Sequence, residues 1–314
     1  MLRVAQNLFA QKTYPTGDKS FAVMQAFPAP FRTEADVSPF LMLDHFGPVK
    51  STGQAAHPDH YPIGWHPHRG MDICTYMVAG KGRHADSMGN REIFASPGMQ
   101  WISVGSGIEH AEGGGTPEGE EQEGFQIWIN TPRALKMNPP SYGTHGPSTI
   151  PILSGDGFMG RLLAGKVGDQ VGPFKTATAI EMIDLTIEPN QAWSHRLDEK
   201  YDNCILFTYR GSGTANDAPI KRNSVLRFDA EDASTRDLVV RGGADEPVRI
   251  MLFSGKRIHE PIKWHGPFVV TSQAELEGTM KELRAGTFPP VRVPWDYKTL
   301  SSFPKDKQEC KSLE

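Results

Sequence analysis

The chain has 314 residues and a net charge of −4, with 38% hydrophobic and 22% charged residues. This balance is typical of a soluble globular protein and excludes a largely disordered chain. The length accommodates two domains of ordinary size, each with its own core. The basic residues are dispersed, which argues against direct nucleic-acid binding, and no apolar run has the length of a signal peptide or a membrane span. We therefore expect a cytoplasmic protein with no membrane contact.

Turn-forming residues are abundant, with 32 glycines and 25 prolines, and short apolar or alternating runs end at them throughout the chain. Strands are predicted at Asp72–Ala79, Phe125–Asn130, Ala179–Ile187, Cys204–Tyr209 and Val248–Phe253. Such spacing favours antiparallel sandwiches or barrels over a helical bundle. The three cysteines, Cys74, Cys204 and Cys310, are far apart and form no CxxC pair, so we expect neither a disulfide framework nor a zinc knuckle.

Two further segments bear on the organisation of the chain. Thr131–Pro151 is rich in proline and glycine and is the best linker candidate between two β-rich halves. Helical signals are concentrated at Ser272–Gly286, where Ser272 and Glu275 form a possible capping box. Because apolar residues follow at helical spacing, we expect this helix to pack on a sheet and to have a structural role.

The most informative feature is a pair of short segments that each carry two potential metal ligands two residues apart. His66 and His68 flank a proline, which favours extended backbone, and His110 and Glu112 follow a glycine-rich bend. On a β-strand, residues i and i+2 point to the same face. If the two strands lie side by side, three imidazoles and one carboxylate converge on one point. The sequence therefore predicts a mononuclear metal site.

The ligand types indicate which metal is expected. Three imidazoles and a carboxylate, without a thiolate, disfavour a structural zinc site and suit Fe(II), with Mn, Ni, Co, Cu or Zn as alternatives. Four ligands on an octahedral ion leave two positions for O₂ and substrate. The ligands carry one negative charge and the ion carries two positive charges, so the site would attract an anionic substrate oxygen. This favours oxygenase or Lewis-acid chemistry.

The remaining histidines are expected to be satisfied core or loop residues. They are His45, His57, His60, His84, His145, His195, His259 and His265. His45 lies in an Asp-His-Phe-Gly-Pro segment and is also a candidate for lining the site.

Several of these segments resemble those of the pirin family, which belongs to the cupin superfamily. They are Phe40–Asp44, His66–Gly70, Pro97–Trp101, Gly105–Glu112, Gln126–Asn130, Lys136–Met137, Glu260–Pro261 and His265–Phe268. The resemblance covers roughly residues 20 to 290. One departure is Met71-Asp72, which stands where pirins often have Phe-Glu; this acidic residue is not a metal ligand in the family.

The resemblance implies an all-β bicupin fold, with two antiparallel jelly-roll barrels face to face and a few short helices. We expect a metal-binding cupin domain at residues 1–133 and a metal-free cupin domain at 134–314. By the same resemblance iron lies in the N-terminal barrel. Its ligands are then His66, His68, His110 and Glu112, which are the four residues that the strand argument selects.

Pirins are associated with two kinds of function. Some resemble quercetin 2,3-dioxygenases, which open a flavonol ring with O₂ and release carbon monoxide; others act as iron-containing interaction modules or transcriptional co-regulators. For the dioxygenase, Glu112 is the expected catalytic residue, as a ligand or as a general base. Candidate pocket residues are Gln126, Trp128 and Asn130, which share one strand face, together with His45. We favour the dioxygenase, with a flavonol-like substrate and O₂, and retain the co-regulator with a protein partner as the alternative.

Overall fold

The computed structural model describes residues 2–10, 14–15, 22–31, 33–53, 57–230 and 236–305. Within these residues the chain is built from antiparallel strands and two α-helices, which confirms the expected all-β class. Cys74 and Cys204 are buried free thiols, whereas Cys310 lies outside the described residues. Among the described residues, no helix has the length and apolar character needed to cross a membrane.

The strands and helices are numbered here in chain order. The first half contains β1 (Arg3–Phe9), β2 (Tyr14–Pro15), β3 (Ala22–Phe27), α1 (Glu34–Val37), β4 (Phe40–Lys50), β5 (Ile63–His68), β6 (Met71–Ala79), β7 (Lys81–Asp86), β8 (Arg91–Ala95), β9 (Gly98–Ser103), β10 (Ile108–Glu112), β11 (Glu121–Asn130) and β12 (Ser141–His145). The second half contains β13 (Ile152–Gly155), β14 (Phe158–Ala164), β15 (Lys166–Val167), β16 (Gln170–Val171), β17 (Ile180–Ile187), β18 (Ala192–Arg196), β19 (Asn203–Arg210), β20 (Ser212–Ala215), β21 (Ala218–Lys221), β22 (Ser224–Asp229), β23 (Asp237–Gly242), β24 (Val248–Gly255), β25 (Lys263–His265), β26 (Phe268–Val270) and α2 (Gln273–Arg284). Short 3₁₀ helices lie at Arg133–Leu135 and Leu300–Ser302.

The chain divides into two compact units, each made from three separate segments. Unit A comprises Thr13–Met24, Asp44–Pro147 and Glu260–Glu314, and unit B comprises Met1–Lys12, Gln25–Leu43 and Ser148–His259. This division differs from the expected boundary between residues 133 and 134. Strand β1 pairs along β22, which places the first residues in unit B. The hairpin β25–β26 and helix α2 belong to unit A instead, where Arg69 pairs with Phe268.

Unit A is built on two sheets. A seven-stranded sheet has the order β12-β9-β6-β11-β4-β3-β2, and a four-stranded sheet has the order β5-β10-β7-β8. Long apolar side chains on β6, β9 and β11, such as Ile73, Ile102 and Ile127, are fully buried. The four-stranded sheet carries both segments that the sequence marks as metal-binding, so the two ligand pairs share one sheet.

Unit B repeats this two-sheet arrangement. A seven-stranded sheet has the order β1-β22-β19-β24-β17-β14-β13, and a four-stranded sheet has the order β18-β23-β20-β21. Its core is one cluster of buried aliphatic and aromatic side chains that includes Ile183, Leu206, Phe228 and Leu252. Burying such side chains contributes roughly 1.5–3 kcal/mol each, so this cluster accounts for a large part of the stability of unit B.

The candidate linker Thr131–Pro151 contains the boundary between the units, after Pro147, and its residues before that point belong to unit A. Strand β12 pairs with β9 at the edge of the seven-stranded sheet, with Gly143 opposite Trp101. A Cβ atom at Gly143 would lie 2.5 Å from Trp101 Nε1, so only glycine fits under this ring. Glycine and proline are tolerated at a sheet edge, which explains why a strand there has the composition of a linker.

The predicted helix is confirmed as α2. The Ser272 hydroxyl accepts a hydrogen bond from the Glu275 backbone N–H at 3.2 Å, as expected for an N-cap, and Gly286 beyond the end has a φ of +67°. Its apolar face packs with Phe268 and Phe288. This helix therefore covers the β25–β26 hairpin of unit A.

Candidate metal centre

The two predicted ligand pairs lie on neighbouring strands. Strands β5 and β10 are antiparallel, with His110 directly opposite His66 and Ile108 opposite His68. Directly opposite residues of an antiparallel pair have side chains on the same face of the sheet. Four strands, β6 to β9, separate the two segments along the chain.

Three imidazoles converge at this position. His66, His68 and His110 each offer a ring nitrogen, and these nitrogens all lie within 4.8 Å of one another. Nε2 of His110 is 2.9 Å from Nε2 of His66. His68 and His110 are buried, and His66 is partly exposed. The geometry is that of a preformed nitrogen-donor site open on one side.

The electrostatics of the cluster keep two of its rings neutral. Burial, together with the neighbouring His66, holds the pKa of His68 well below its usual value of 6.5. Burial also lowers the pKa of His110, and His66, His68 and His84 lower it further. Neutral imidazoles have the free lone pairs that a transition metal requires. Nδ1–H of His66 donates to the Gly64 carbonyl at 2.8 Å, which leaves its Nε2 free for a metal. The three histidines therefore fit a divalent transition-metal ion.

Glu112 lies beside this cluster but is not one of its members. The pairing of β10 with β5 shifts by one residue after His110, so Glu112 lies opposite Ile63. The extra residue of this irregularity lies on β5, between Ile63 and His66, whereas β10 pairs regularly with β7 from His110 to Glu112. The Glu112 carboxylate accepts a hydrogen bond from Gln126 Nε2 at 2.9 Å, with Thr75 Oγ1 at 3.5 Å. The structure thus gives Glu112 amide and hydroxyl partners.

A cavity of about 230 Å³ adjoins Glu112 within unit A. Its apolar wall includes Val23, Phe46, Ile63, Met77 and Phe94, and its polar side chains are Asp44, Thr75, Lys81, Arg83, Gln100, Glu112, Gln122 and Gln126. Thr75 lies directly opposite both Gln126 and Gln100, so these three form one polar row across β11, β6 and β9. Gln100 is 1% exposed, and its Nε2 has no hydrogen-bond partner among the described residues.

The four predicted pocket residues fall in different places. Gln126 lines the cavity, and the other three do not. Trp128 meets the His68 ring edge-on, with centroids 5.1 Å apart. Asn130 is buried and accepts a hydrogen bond from Lys136 Nζ at 2.6 Å. His45 is buried, bonded to Glu123 at 3.0 Å and stacked on a phenylalanine. Each of these three side chains is occupied by packing or hydrogen bonding away from the cavity.

The structure adds His84 and Asp86 to the surroundings of the cluster. Both are fully buried on β7, where Asp86 lies opposite His110 and His84 opposite Glu112. From the sequence alone, His84 is expected to be a satisfied core or loop histidine. The His84-Ala85-Asp86 segment nevertheless has the same i, i+2 spacing as the two ligand pairs, and this signal could have found it.

These observations define a double-barrel protein of the cupin type with a buried histidine cluster in one barrel. Residues 20–129 match the family model for pirin, and residues 182–289 match that for the pirin C-terminal cupin domain. The chain is 35% identical over 258 residues to a Vibrio cholerae protein that is named only as a proposed quercetin 2,3-dioxygenase, covering 80% of this chain and 86% of that one. The chain therefore belongs to the pirin family.

Solved structures agree with this fold. The crystal structure of a quercetin 2,3-dioxygenase from Acinetobacter baumannii aligns with a TM-score of 0.83 at 24% identity, covering 92% of this chain and 99% of that one. A bacterial pirin from Escherichia coli in complex with nickel(II) aligns with a TM-score of 0.60 at 18% identity, covering 81% and 99%. At these identities the likeness establishes the fold.

Proposed function

We propose that the protein is a metal-dependent dioxygenase, with iron as its metal, that opens flavonols such as quercetin with O₂. The observation that carries the proposal is the position of Glu112. This residue is on the same strand as His110, two residues away, and its side chain lines the cavity. One residue that lines a partly apolar cavity thus lies two positions from a member of the donor cluster, which supports an enzyme that activates a bound small molecule.

His66, His68 and His110 would hold the metal, with Glu112 as a fourth ligand when its side chain turns toward the cluster. This donor set suits Fe(II) and also accommodates Mn, Ni, Co, Cu or Zn. The bound metal would supply Lewis-acid and redox chemistry for O₂ and for an ionised substrate oxygen.

The mixed apolar and polar lining of the cavity suits a hydroxylated aromatic ketone. Phe46, Met77 and Phe94 form an apolar wall for a flat ring system. The unpartnered Nε2 of Gln100 is a donor for the substrate carbonyl oxygen. The carboxylate of Glu112 is an acceptor for the neighbouring hydroxyl. A flavonol carries this combination, since its 3-hydroxyl adjoins its 4-carbonyl.

In this arrangement Glu112 acts as the general base. Its carboxylate takes the proton of the flavonol 3-hydroxyl, and the O–H bonding electrons remain on the substrate oxygen. Gln126 Nε2 donates to Glu112 Oε1 and fixes the direction in which the carboxylate points. Thr75 in turn donates to Gln126 Oε1 at 2.6 Å, which sets the orientation of that amide.

The test is aerobic turnover of quercetin by the iron-loaded protein. We expect loss of the flavonol absorbance with release of one carbon monoxide per quercetin consumed. Glu112→Gln should retain most ligand binding and lose turnover, because the amide cannot take the proton, and His66→Ala should lose both metal and turnover. Absence of turnover at full iron occupancy would refute the proposal and favour the interaction module that the sequence leaves open.

A further inference from the structure

His84 is a fourth buried imidazole beside the histidine cluster. Its ring centroid is 5.4 Å from that of His110, and its other side stacks on Tyr142 with centroids 5.0 Å apart. His84 and Asp86 are both 0% exposed, and His84 Nε2 lies 2.9 Å from Asp86 Oδ2. The ring is therefore held between an aromatic side chain, a carboxylate and a candidate metal ligand.

The hydrogen bonds of this ring leave one nitrogen unused. Because a carboxylate accepts, Nε2–H of His84 donates to Asp86 and its Nδ1 retains a free lone pair. That Nδ1 is buried and has no hydrogen-bond partner among the described residues. Nδ1 of His110 is buried and equally without a partner there. Two such nitrogens on adjacent rings could satisfy each other through one shared hydrogen bond.

Metal binding would change the tautomer of His110. Nδ1–H of His66 donates to the Gly64 carbonyl, so its Nε2 carries no hydrogen, and in the 2.9 Å contact the hydrogen belongs to Nε2 of His110. A metal at this nitrogen needs the lone pair in place of the hydrogen. The proton of a neutral His110 must then be on Nδ1, where a buried N–H needs an acceptor.

We propose that His84 is the positioning residue for His110, with its Nδ1 accepting the Nδ1–H of the metal-bound tautomer. At a centroid separation of 5.4 Å, two imidazoles whose ring nitrogens point at each other are within hydrogen-bond distance, which is about 3 Å. The chain Asp86–His84–His110 then orients the ligand as a carboxylate–histidine pair orients a zinc ligand. This inference rests on the proposed metal site.

Asp86 is well placed for this role because the chain fixes it independently of His84. Its Oδ1 accepts the backbone N–H groups of Met88 and Asn90, at 2.9 and 3.1 Å, and its Oδ2 accepts the Asn90 amide at 2.8 Å. The carboxylate thus has a fixed direction before any metal binds. It imposes one tautomer on His84, which is what an acceptor for His110 requires.

The first test is the nickel(II) affinity of the full chain, measured by isothermal titration calorimetry. His84→Phe preserves the stacking on Tyr142 and removes the acceptor, so we expect affinity to fall about 10- to 100-fold, as for other residues that orient a metal ligand. His84→Gln restores an acceptor oxygen and should recover part of the loss. The matched control is His45→Phe, since His45 is also buried, bonded to a glutamate and stacked on a phenylalanine. It should bind nickel(II) like the wild type.

The second test observes the proton directly. In the zinc(II)-loaded, ¹⁵N-labelled protein, Nδ1–H of His110 should give a slowly exchanging signal that disappears in His84→Phe and persists in His45→Phe. The inference is overturned if His84→Phe binds nickel(II) like the wild type, if the His110 signal survives, or if both variants lose affinity equally. If His84→Phe weakens nickel(II) binding as expected but the iron-loaded wild type does not consume quercetin, the proposed function is refuted and the role of His84 stands.

Discussion

The side-chain amide of Gln100 lies in the wall of the cavity, 1% exposed, with its nitrogen unpartnered among the described residues. A buried donor without a partner costs about 1–3 kcal/mol of stability. Gln100→Met keeps nearly the same shape and removes this donor, so we expect the metal-free protein to gain about 1–3 kcal/mol. The same substitution should weaken quercetin binding by about 1 kcal/mol, roughly fivefold, because the carbonyl oxygen loses its donor.

Gln126→Met is the matched control, since it makes the same change in the same cavity. The Gln126 amide is bonded to Glu112 and to Thr75, so its removal leaves both groups short of a partner and should lower stability. Thermal unfolding of the two metal-free variants measures the first effect, and anaerobic quercetin titration of the nickel-loaded proteins measures the second. If Gln100→Met lowers the midpoint as much as Gln126→Met, the Gln100 amide has a partner and the reasoning fails.

Three further predictions follow from single contacts. A Cβ atom at Gly82 would lie 2.3 Å from the tip of the Phe94 ring, so Gly82→Ala should push this ring into the cavity and raise the quercetin KM about tenfold; an unchanged KM in steady-state assays would contradict this. His66→Ala should abolish nickel(II) binding in calorimetry, because it removes one of the three converging nitrogens, and persistent tight binding would place the metal elsewhere. Burial lowers the pKa of Lys136 from 10.5 to about 8, so between these pH values the folded protein lacks a proton that the unfolded chain keeps. The free energy of unfolding of the wild type, compared with that of Lys136→Met, should therefore rise with pH by up to about 1.4 kcal/mol per pH unit. Urea titrations at several pH values measure this difference. A difference that does not change with pH would argue against a buried, neutral amine.

Several elements of this fold can be predicted from local sequence patterns. The convergence of His66, His68 and His110 depends only on the two-residue period of a strand and on pairing between β5 and β10. Helix α2 was predictable because its N-cap and apolar spacing are encoded within its own residues. Within each ligand pair and within α2, residues that are close in the sequence are also close in the structure, whereas the pairing of β5 with β10 joins two distant segments.

Other features depend on partners far away in the chain. Strand β1 joins unit B because it pairs with β22, more than 200 residues later, and nothing in Arg3–Phe9 specifies that partner. The candidate linker Thr131–Pro151 contains the unit boundary after Pro147, but it also contains strand β12, because glycine under Trp101 has the same composition signal as glycine in a flexible segment. Composition predicts where glycine and proline allow turns, but it does not predict which of these segments pair as strands at the edge of a sheet.

Glu112 shows where strand periodicity stops being sufficient. The i, i+2 rule places its side chain on the same face as His110, but it does not reveal the partners of the carboxylate, which are Gln126 Nε2 at 2.9 Å and Thr75 Oγ1 at 3.5 Å. The carboxylate is an acceptor in the lining of the cavity that also contains the Gln100 amide, whose nitrogen has no partner among the described residues. A cavity whose lining offers both donors and acceptors selects ligands by the spacing of their own acceptor and hydroxyl groups, which is why a hydroxyketone fits the proposal better than an apolar ring alone.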